Sequence, residues 1–161
     1  MKRLTIGVRL ARPEECDFIF KIRNEKSIRA VSSHVQRISL SVHRRWFQAA
    51  LHNPEVRIFI IRAKRRPVGM IRYNVVRPRT CEIHMALFPA WRGQGIAEAA
   101  FRKTTARIKK ILAWKVRRII ARIKPANKKS IRFFSRIGFR KISRDVSWPS
   151  KDVLLVFFKP L

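Results

Sequence analysis

The sequence predicts a mixed α/β domain of 161 residues with the element order β-α-α-β-β-β-α-β-α-β-β. Three observations carry that prediction. Short β-branched runs alternate with turn-forming segments through the middle of the chain. Apolar residues recur at helical spacing on either side of that block. A glycine-bearing segment, Phe88-Pro89-Ala90-Trp91-Arg92-Gly93-Gln94-Gly95-Ile96-Ala97, ends one strand and opens a long helix. No linker or repeat interrupts the chain, so residues 1–161 read as one domain.

Taken in order, Thr5 to Ala11 reads as a strand. Pro13 with Glu14, Glu15 and Asp17 opens a helix to about Asn24, because proline suits the first helical position and acids suit the positive helix end. Glu25 to Leu40 is polar and aperiodic and is expected to be a loop. Ser41 is expected to cap a second helix whose stripe is Val42, Trp46, Ala49 and Ala50, fading at His52-Asn53-Pro54. Strands follow at Val56–Ala63, Val68–Val76 and Thr80–Phe88, joined by Lys64-Arg65-Arg66-Pro67 and Arg77-Pro78-Arg79. The long basic helix runs from Ile96 to about Ala113, and Val116–Ile123 is β-branched and strand-like. Asn127 caps a short helix that stops at Gly138. Phe139 to about Arg144 and Val153–Lys159 are the last strands, flanking a turn at Trp148-Pro149-Ser150-Lys151.

Hydrophobic residues make up 47% of the chain, including 11 Phe and 4 Trp, which excludes disorder despite the charge. The longest apolar runs, Ile58–Ile61 and Val153–Phe158, are strand-sized rather than membrane-spanning. The N-terminal Met1-Lys2-Arg3-Leu4-Thr5 lacks the apolar core of a secretory signal. Cys16 and Cys81 have no metal-ligand spacing, so both are expected to be reduced thiols in a cytoplasmic protein with no bound metal. The balance of 39 Lys+Arg against 9 Asp+Glu gives a formal net charge of +30, and no acid lies between Glu98 and Asp145. Such a field draws in anionic ligands; a nucleic-acid surface and an ordinary solvated basic face both fit it.

The glycine loop carries the chemistry. Backbone N–H groups at a helix N-terminus, reinforced by the helix dipole, hold a phosphate or pyrophosphate, and Gly93 and Gly95 allow close approach. The pattern Arg-x-x-Gly-x-Ala is neither the dinucleotide fingerprint nor the P-loop. A tight turn with no ligand would use the same glycines.

Two blocks together resemble the GNAT superfamily of acetyl-CoA-dependent N-acetyltransferases: Arg92-Gly93-Gln94-Gly95-Ile96-Ala97, similar to the family's CoA pyrophosphate loop, and Asn127-Lys128-Lys129-Ser130-Ile131-Arg132-Phe133-Phe134-Ser135-Arg136-Ile137-Gly138-Phe139, similar to its Asn-x-x-Ser/Ala helix ending in Gly-Phe. The resemblance spans essentially the whole chain. It implies a GNAT fold: a mostly antiparallel, twisted sheet of about seven strands, splayed between strands 4 and 5, with about four helices. It also implies acetyl-CoA as co-substrate and direct transfer to a primary amine. Arg23-Asn24, His43-Arg44-Arg45-Trp46-Phe47, Val68–Tyr73 and Cys81–Met85 further resemble GNAT enzymes of the pseudaminic-acid pathway, which acetylate nucleotide-linked amino sugars.

On that resemblance, the backbone of Met85, Ala86 and Leu87 receives the pantetheine arm and polarises the thioester. Arg92 to Ala97 hold the pyrophosphate, and Asn127 and Phe134 lie beside the cofactor. Glu82 and His84 share one face of a strand and are the candidate bases; a buried ion pair for Glu82 and a hydrogen-bonded strand histidine are the structural alternatives. Asn127 can equally be a simple cap. Arg23, Asn24, His43, Trp46 and Tyr73 are the acceptor-binding candidates, although Trp46 and Phe47 also fit a core stripe. Phe134 stands where the family often places a tyrosine acid, which implies release of the thiolate or a loss of activity. The expected acceptor is a small amine, anionic, met by a monomer or homodimer. Acetylation of a protein N-terminus or lysine, of aminoacyl-tRNA, or a non-catalytic basic module that binds nucleic acid are the alternatives.

Overall fold

The computed structural model describes residues 4–112, 116–146 and 153–161, with only the backbone of 145 and 146. Seven strands form one sheet: β1 (Ile6–Leu10), β2 (Val56–Ala63), β3 (Arg66–Arg77), β4 (Arg79–Leu87), β5 (Val116–Ile123), β6 (Arg140–Val146) and β7 (Val153–Pro160). Their spatial order is β1-β2-β3-β4-β5-β7-β6. Every pairing is antiparallel except β4 with β5. The helices are α1 (Cys16–Asn24), α2 (Lys26–Arg29), α3 (Leu40–His52), α4 (Ile96–Ile111) and α5 (Lys128–Arg136).

Strand alternation builds a core on each face of the sheet. Phe59, Ile61, Ile71, Tyr73, Ile83, Ile119 and Ala121 turn one way and pack under Ile96, Phe101 and Ile108 of α4 and Phe134 of α5. Ile58, Ile60 and Met70 turn the other way, against Ile19 and Ile22 of α1 and Phe47 and Ala50 of α3. One face therefore carries α4 and α5, and the other carries α1 and α3.

The sequence-predicted strands match in number and order. Three local readings change. A 3-10 turn at Pro13–Glu15 leads into α1, so the proline opens the turn rather than the α-helix itself. The expected loop from Glu25 contains α2, capped by the Glu25 carboxylate accepting from Ile28 N at 3.0 Å. Glutamate is an uncommon cap and one turn of helix shows no periodicity, which hid it. Ser39, not Ser41, caps α3, its hydroxyl accepting from Val42 N at 3.3 Å. The buried stripe of α3 is accordingly His43, Phe47 and Ala50, one position on from Val42, Trp46 and Ala49. The large Phe47 ring and the apolar α1 surface set that rotation. The turn at Trp148–Lys151 and the expected end of the long helix at Ala113 lie outside the described residues.

Candidate active site

The site begins where β4 leaves β5. The parallel ladder pairs Arg79 with Val116 and ends with Glu82 beside Ile120. On its other side β4 stays paired with β3 as far as Leu87 opposite Gly69. Beyond Glu82, then, β4 has one edge that no described strand pairs with. Phe88 N donates to Val68 O at 3.1 Å. Alternation along the strand therefore turns the N–H and C=O of Ala86 toward β3, and those of Met85 and Leu87 into the gap. The sheet parts as the resemblance implies.

At the end of that edge the chain makes a 3-10 turn, Pro89–Trp91, and then the glycine loop. Gly93 and Gly95 have φ of +74° and +72°, conformations that cost a side-chain-bearing residue about 1–2 kcal/mol. A Cβ at either would meet nothing within 4 Å, so the loop faces open space. Ala99 N donates to Gly95 O. Among the described residues, none accepts from the N–H groups of residues 93–98. Six unspent donors at the N-terminus of a 16-residue helix fit a pyrophosphate. Arg92 is a tether here: its Nε donates to Leu87 O at 2.9 Å and its Nη2 lies 3.8 Å from Glu25 Oε2. Gln94 folds back to donate to Ala90 O at 2.9 Å. Ile96 is buried in the core and Ala97 packs at its edge, so of these two only the backbone faces the loop.

Asn127 caps α5, its Oδ1 accepting from Ser130 N at 3.1 Å. Phe134 is 6% exposed, its ring centroid 5.2 Å from Phe133 and 5.0 Å from Phe139. It is a core ring at the inner side of α5.

On the opposite face of β4, toward α1 and α3, the register assembles a polar cluster. Arg72 of β3 lies opposite His84, and Asn74 opposite Glu82. Arg122 of β5 donates from Nη1 to Glu82 Oε2 at 2.7 Å. His84 Nε2 is 3.7 Å from Glu82 Oε1. The Arg72 guanidinium lies 5.3 Å from the centre of the Trp46 ring, a cation–π contact from α3. Trp46 is 36% exposed and belongs to this cleft rather than to the core stripe. Arg23 of α1 donates from Nη2 to His34 O, while its Nη1, the Arg72 Nε and the Asn74 Oδ1 are buried without a partner.

The electrostatics follow from that crowding. The His84 side chain keeps 41% of its surface open, and the part that is covered is desolvated by the surrounding protein. That desolvation, then the charges of Arg72, Arg122 and Arg23, hold its pKa well below the ordinary 6.5. His84 is neutral at pH 7. Burial also lowers Arg72 to about 10, partly countered by Glu82 and deepened by Arg23. At neutral pH Arg72 stays charged.

The structure brings Glu82, His84, Arg23 and Trp46 together and leaves other candidates elsewhere. Tyr73 points to the opposite face, fully buried, with its hydroxyl 2.9 Å from Thr104 Oγ1 and 3.3 Å from Thr105 Oγ1. His43 is buried between α1 and α3, its Nε2 3.0 Å from Cys16 O. Asn24 clasps the following loop, donating to Ile38 O and accepting from Ile38 N, both at 3.0 Å. Neither Tyr73 nor His43 offers a surface to a ligand. Arg72, Asn74 and Arg122 were missed by the sequence reading. Their signal was there: a guanidinium within an apolar strand, as in Ile71-Arg72-Tyr73 and Ala121-Arg122-Ile123, needs a reason.

A profile of the Acetyltransferase (GNAT) domain matches residues 5–140. The chain belongs to the GNAT family of acetyltransferases. As a GNAT enzyme it takes acetyl-CoA as its donor, and the open β4 edge and the loop fit that molecule. Among solved structures, the spermidine N-acetyltransferase of Vibrio cholerae, in complex with CoA and spermine, superposes with a TM-score of 0.82 at 15% identity, over 96% of this chain and 95% of that one. A putative acetyltransferase of Salmonella typhimurium with its cofactor acetyl-CoA gives 0.77 at 17%, over 98% and 94%. The ribosomal-protein-alanine N-acetyltransferase of Brucella melitensis gives 0.78 at 19%, over 96% and 99%. A comparison with curated protein sequences gives no match. Among the described residues no group of His, Cys, Asp and Glu could hold a metal ion, and no helix is long and apolar enough to cross a membrane.

Proposed function

We propose that this GNAT domain N-acetylates a small-molecule amine that carries negative charge, with a nucleotide-linked amino sugar as the leading acceptor class. The observation that carries the reading is the alignment along β4: an open main-chain edge at Met85 and the Leu87 N–H, donors of the glycine loop at one end, and the neutral imidazole of His84 one residue before that edge.

Acetyl-CoA supplies the activated thioester when bound. The chain supplies the rest. The loop N–H groups and the N-terminus of α4 receive phosphate oxygens, and the Met85 and Leu87 main chain holds an extended arm and donates to its acyl oxygen. Glu82 is committed to Arg122 at 2.7 Å, so His84 is the better proton acceptor. With Nε2 facing Glu82, the proton is favoured on Nε2 and the lone pair stays on Nδ1, ready for the ammonium proton of the acceptor. No tyrosine stands at position 134, and the cationic cluster favours departure of the sulfur as thiolate, whose free thiol pKa is about 8.5. Trp46 gives a sugar or base ring a flat surface at the cleft mouth.

Acetyl-CoA consumption tests this, with a nucleotide-linked amino sugar, spermidine, a basic peptide and charged tRNA offered separately. Turnover with the amino sugar is expected to exceed that with the others. A preference for the peptide or tRNA would move the acceptor to a macromolecule. Salt-sensitive binding of tRNA with no turnover of any amine would leave a binding module.

A further inference from the structure

We infer that Arg72 and Arg23, with Asn74 beside them, form a buried subsite that seats an anionic oxygen group of the acceptor, a phosphate or a carboxylate. The inference deepens the acceptor reading above and rests on it.

Charge bookkeeping on the α1/α3 face motivates it. Arg23, Arg72 and Arg122 surround a neutral His84, and the facing carboxylate is Glu82, which Arg122 already engages at 2.7 Å. Among the described residues neither Arg23 nor Arg72 has a salt bridge. Buried guanidinium donors without partners, Arg23 Nη1 and Arg72 Nε, are unfavourable unless a ligand completes them. Water could satisfy their N–H groups but not their charge. The Trp46 ring covers Arg72 at 5.3 Å, while the Arg72 Nε–H remains a donor for an oxygen of the ligand. Asn74 lies two residues along β3 from Arg72, on the same face and opposite Glu82, with its Oδ1 buried without a partner.

The subsite also selects. A polyamine, the kind of acceptor for which the Vibrio cholerae neighbour is named, would bring like charge against three guanidiniums. An anion there would instead weaken their hold on His84 and raise its affinity for a proton. Binding of the acceptor and the basicity of the group that receives its proton are thus linked, and the linkage is reciprocal.

The test uses the CoA-loaded protein, so that the loop is already occupied. Calorimetric titrations with inorganic pyrophosphate, malonate and spermidine separate phosphate, carboxylate and cation. One of the two anions is expected to bind and spermidine not to. Arg72→Met and Arg23→Met should each weaken the anion about tenfold or more, and Arg72→Lys by less. Arg107→Gln, which removes the same charge from the outer side of α4, should leave it unchanged. The His84 ring, followed by NMR, should titrate at higher pH with the anion bound and in Arg72→Met; circular dichroism melts show that the variants fold. Absence of anion binding, equal weakening by Arg107→Gln, or tighter binding of spermidine would overturn the subsite. Failure of CoA itself to bind would instead strike the acetyltransferase reading, and malonate titrated into the free protein then still decides whether Arg72 holds an anion.

Discussion

Gly69 is a position where one methyl group should damage both the fold and the chemistry. It lies opposite Leu87, the last residue of the free β4 edge. A Cβ built on it falls 2.4 Å from Ala86 O, 2.4 Å from Leu87 Cδ2 and 3.2 Å from Leu87 Cα. The Leu87 methyl could rotate away, but Ala86 O is main chain, roughly 1 Å short of ordinary contact. Gly69→Ala must therefore push β4 and β3 apart at the point where the thioester is to be held. Overpacking of this kind costs about 1–3 kcal/mol. The smaller entropy of the unfolded alanine chain offsets about 0.4–1 kcal/mol of that. A net loss near 1–2 kcal/mol corresponds to a melting temperature lower by roughly 2–8 °C for a domain of this size. A displacement of about 1 Å in a reacting group can cost on the order of 10²-fold in rate. Thermal and urea melts measure the first effect and acetyl-CoA turnover the second. Gly7→Ala on β1 is the control, because its Cβ meets only Arg62 Cβ at an ordinary 3.8 Å. If Gly69→Ala matched Gly7→Ala in both stability and kcat/KM, the argument that this glycine shapes the β4 edge would be wrong.

His84→Ala should lower kcat by about 10²–10⁴-fold, and the wild-type acid limb should lie below pH 6.5, since the folded pKa is held under that value; an acid limb above 6.5 would contradict the neutral imidazole. Burial depresses His43 from 6.5 as well, so the unfolded chain binds protons more readily: stability is full above pH 6.5 and falls as the pH drops through 6.5 toward the lowered folded value. Urea melts at several pH values should show that fall; His43→Gln should lessen it, and the remainder belongs to His84, whose pKa is depressed in the same direction. Tyr73→Phe should cost about 1 kcal/mol, the worth of its buried hydroxyl contacts, with KM for the acceptor unchanged; a large rise in KM would return Tyr73 to the acceptor site. Phe134→Tyr places a hydroxyl among Phe133 and Phe139, so turnover at pH 7 should not rise, and a large gain would show that a general acid had been missing.

The glycine loop and the α5 cap were legible in the chain because they depend on local rules. Gly93 and Gly95 mark positive φ wherever they occur, and Asn127 followed by Ser130 marks a cap. Val116–Ile123 emerges with the bounds its β-branched run suggested. The polar cluster of β3, β4 and β5 depends on register and on distant partners. Nothing near Glu82 in sequence announces Arg122, 40 residues on, and only the pairing of Arg72 with His84 shows that the two share a cleft. Tyr73 misled for a related reason. It neighbours Arg72, but strand alternation sends the two side chains to opposite faces, and the sequence alone does not say which face meets which helix. On α3, Ser39 and Ser41 are both good caps, and the face that turns inward, with His43 rather than Val42 in the core, is set by packing against α1 that the sequence does not show.

The divergence of β4 from β5 has a further consequence, in terms of descent. A groove made of main-chain groups and a glycine loop asks little of the side chains around it. Substitutions can accumulate along β4 and α4 without removing a single N–H from the donor's path. The proposed acceptor face is different, because there Arg72, His84 and Trp46 would contact the ligand with their side chains, and one replacement would redraw the cleft. Chains that share 15–19% identity with this one therefore keep its backbone with TM-scores of 0.77–0.82. The groove needs only that shared backbone, while the side chains of Arg72, His84 and Trp46 can be exchanged on it without disturbing the sheet.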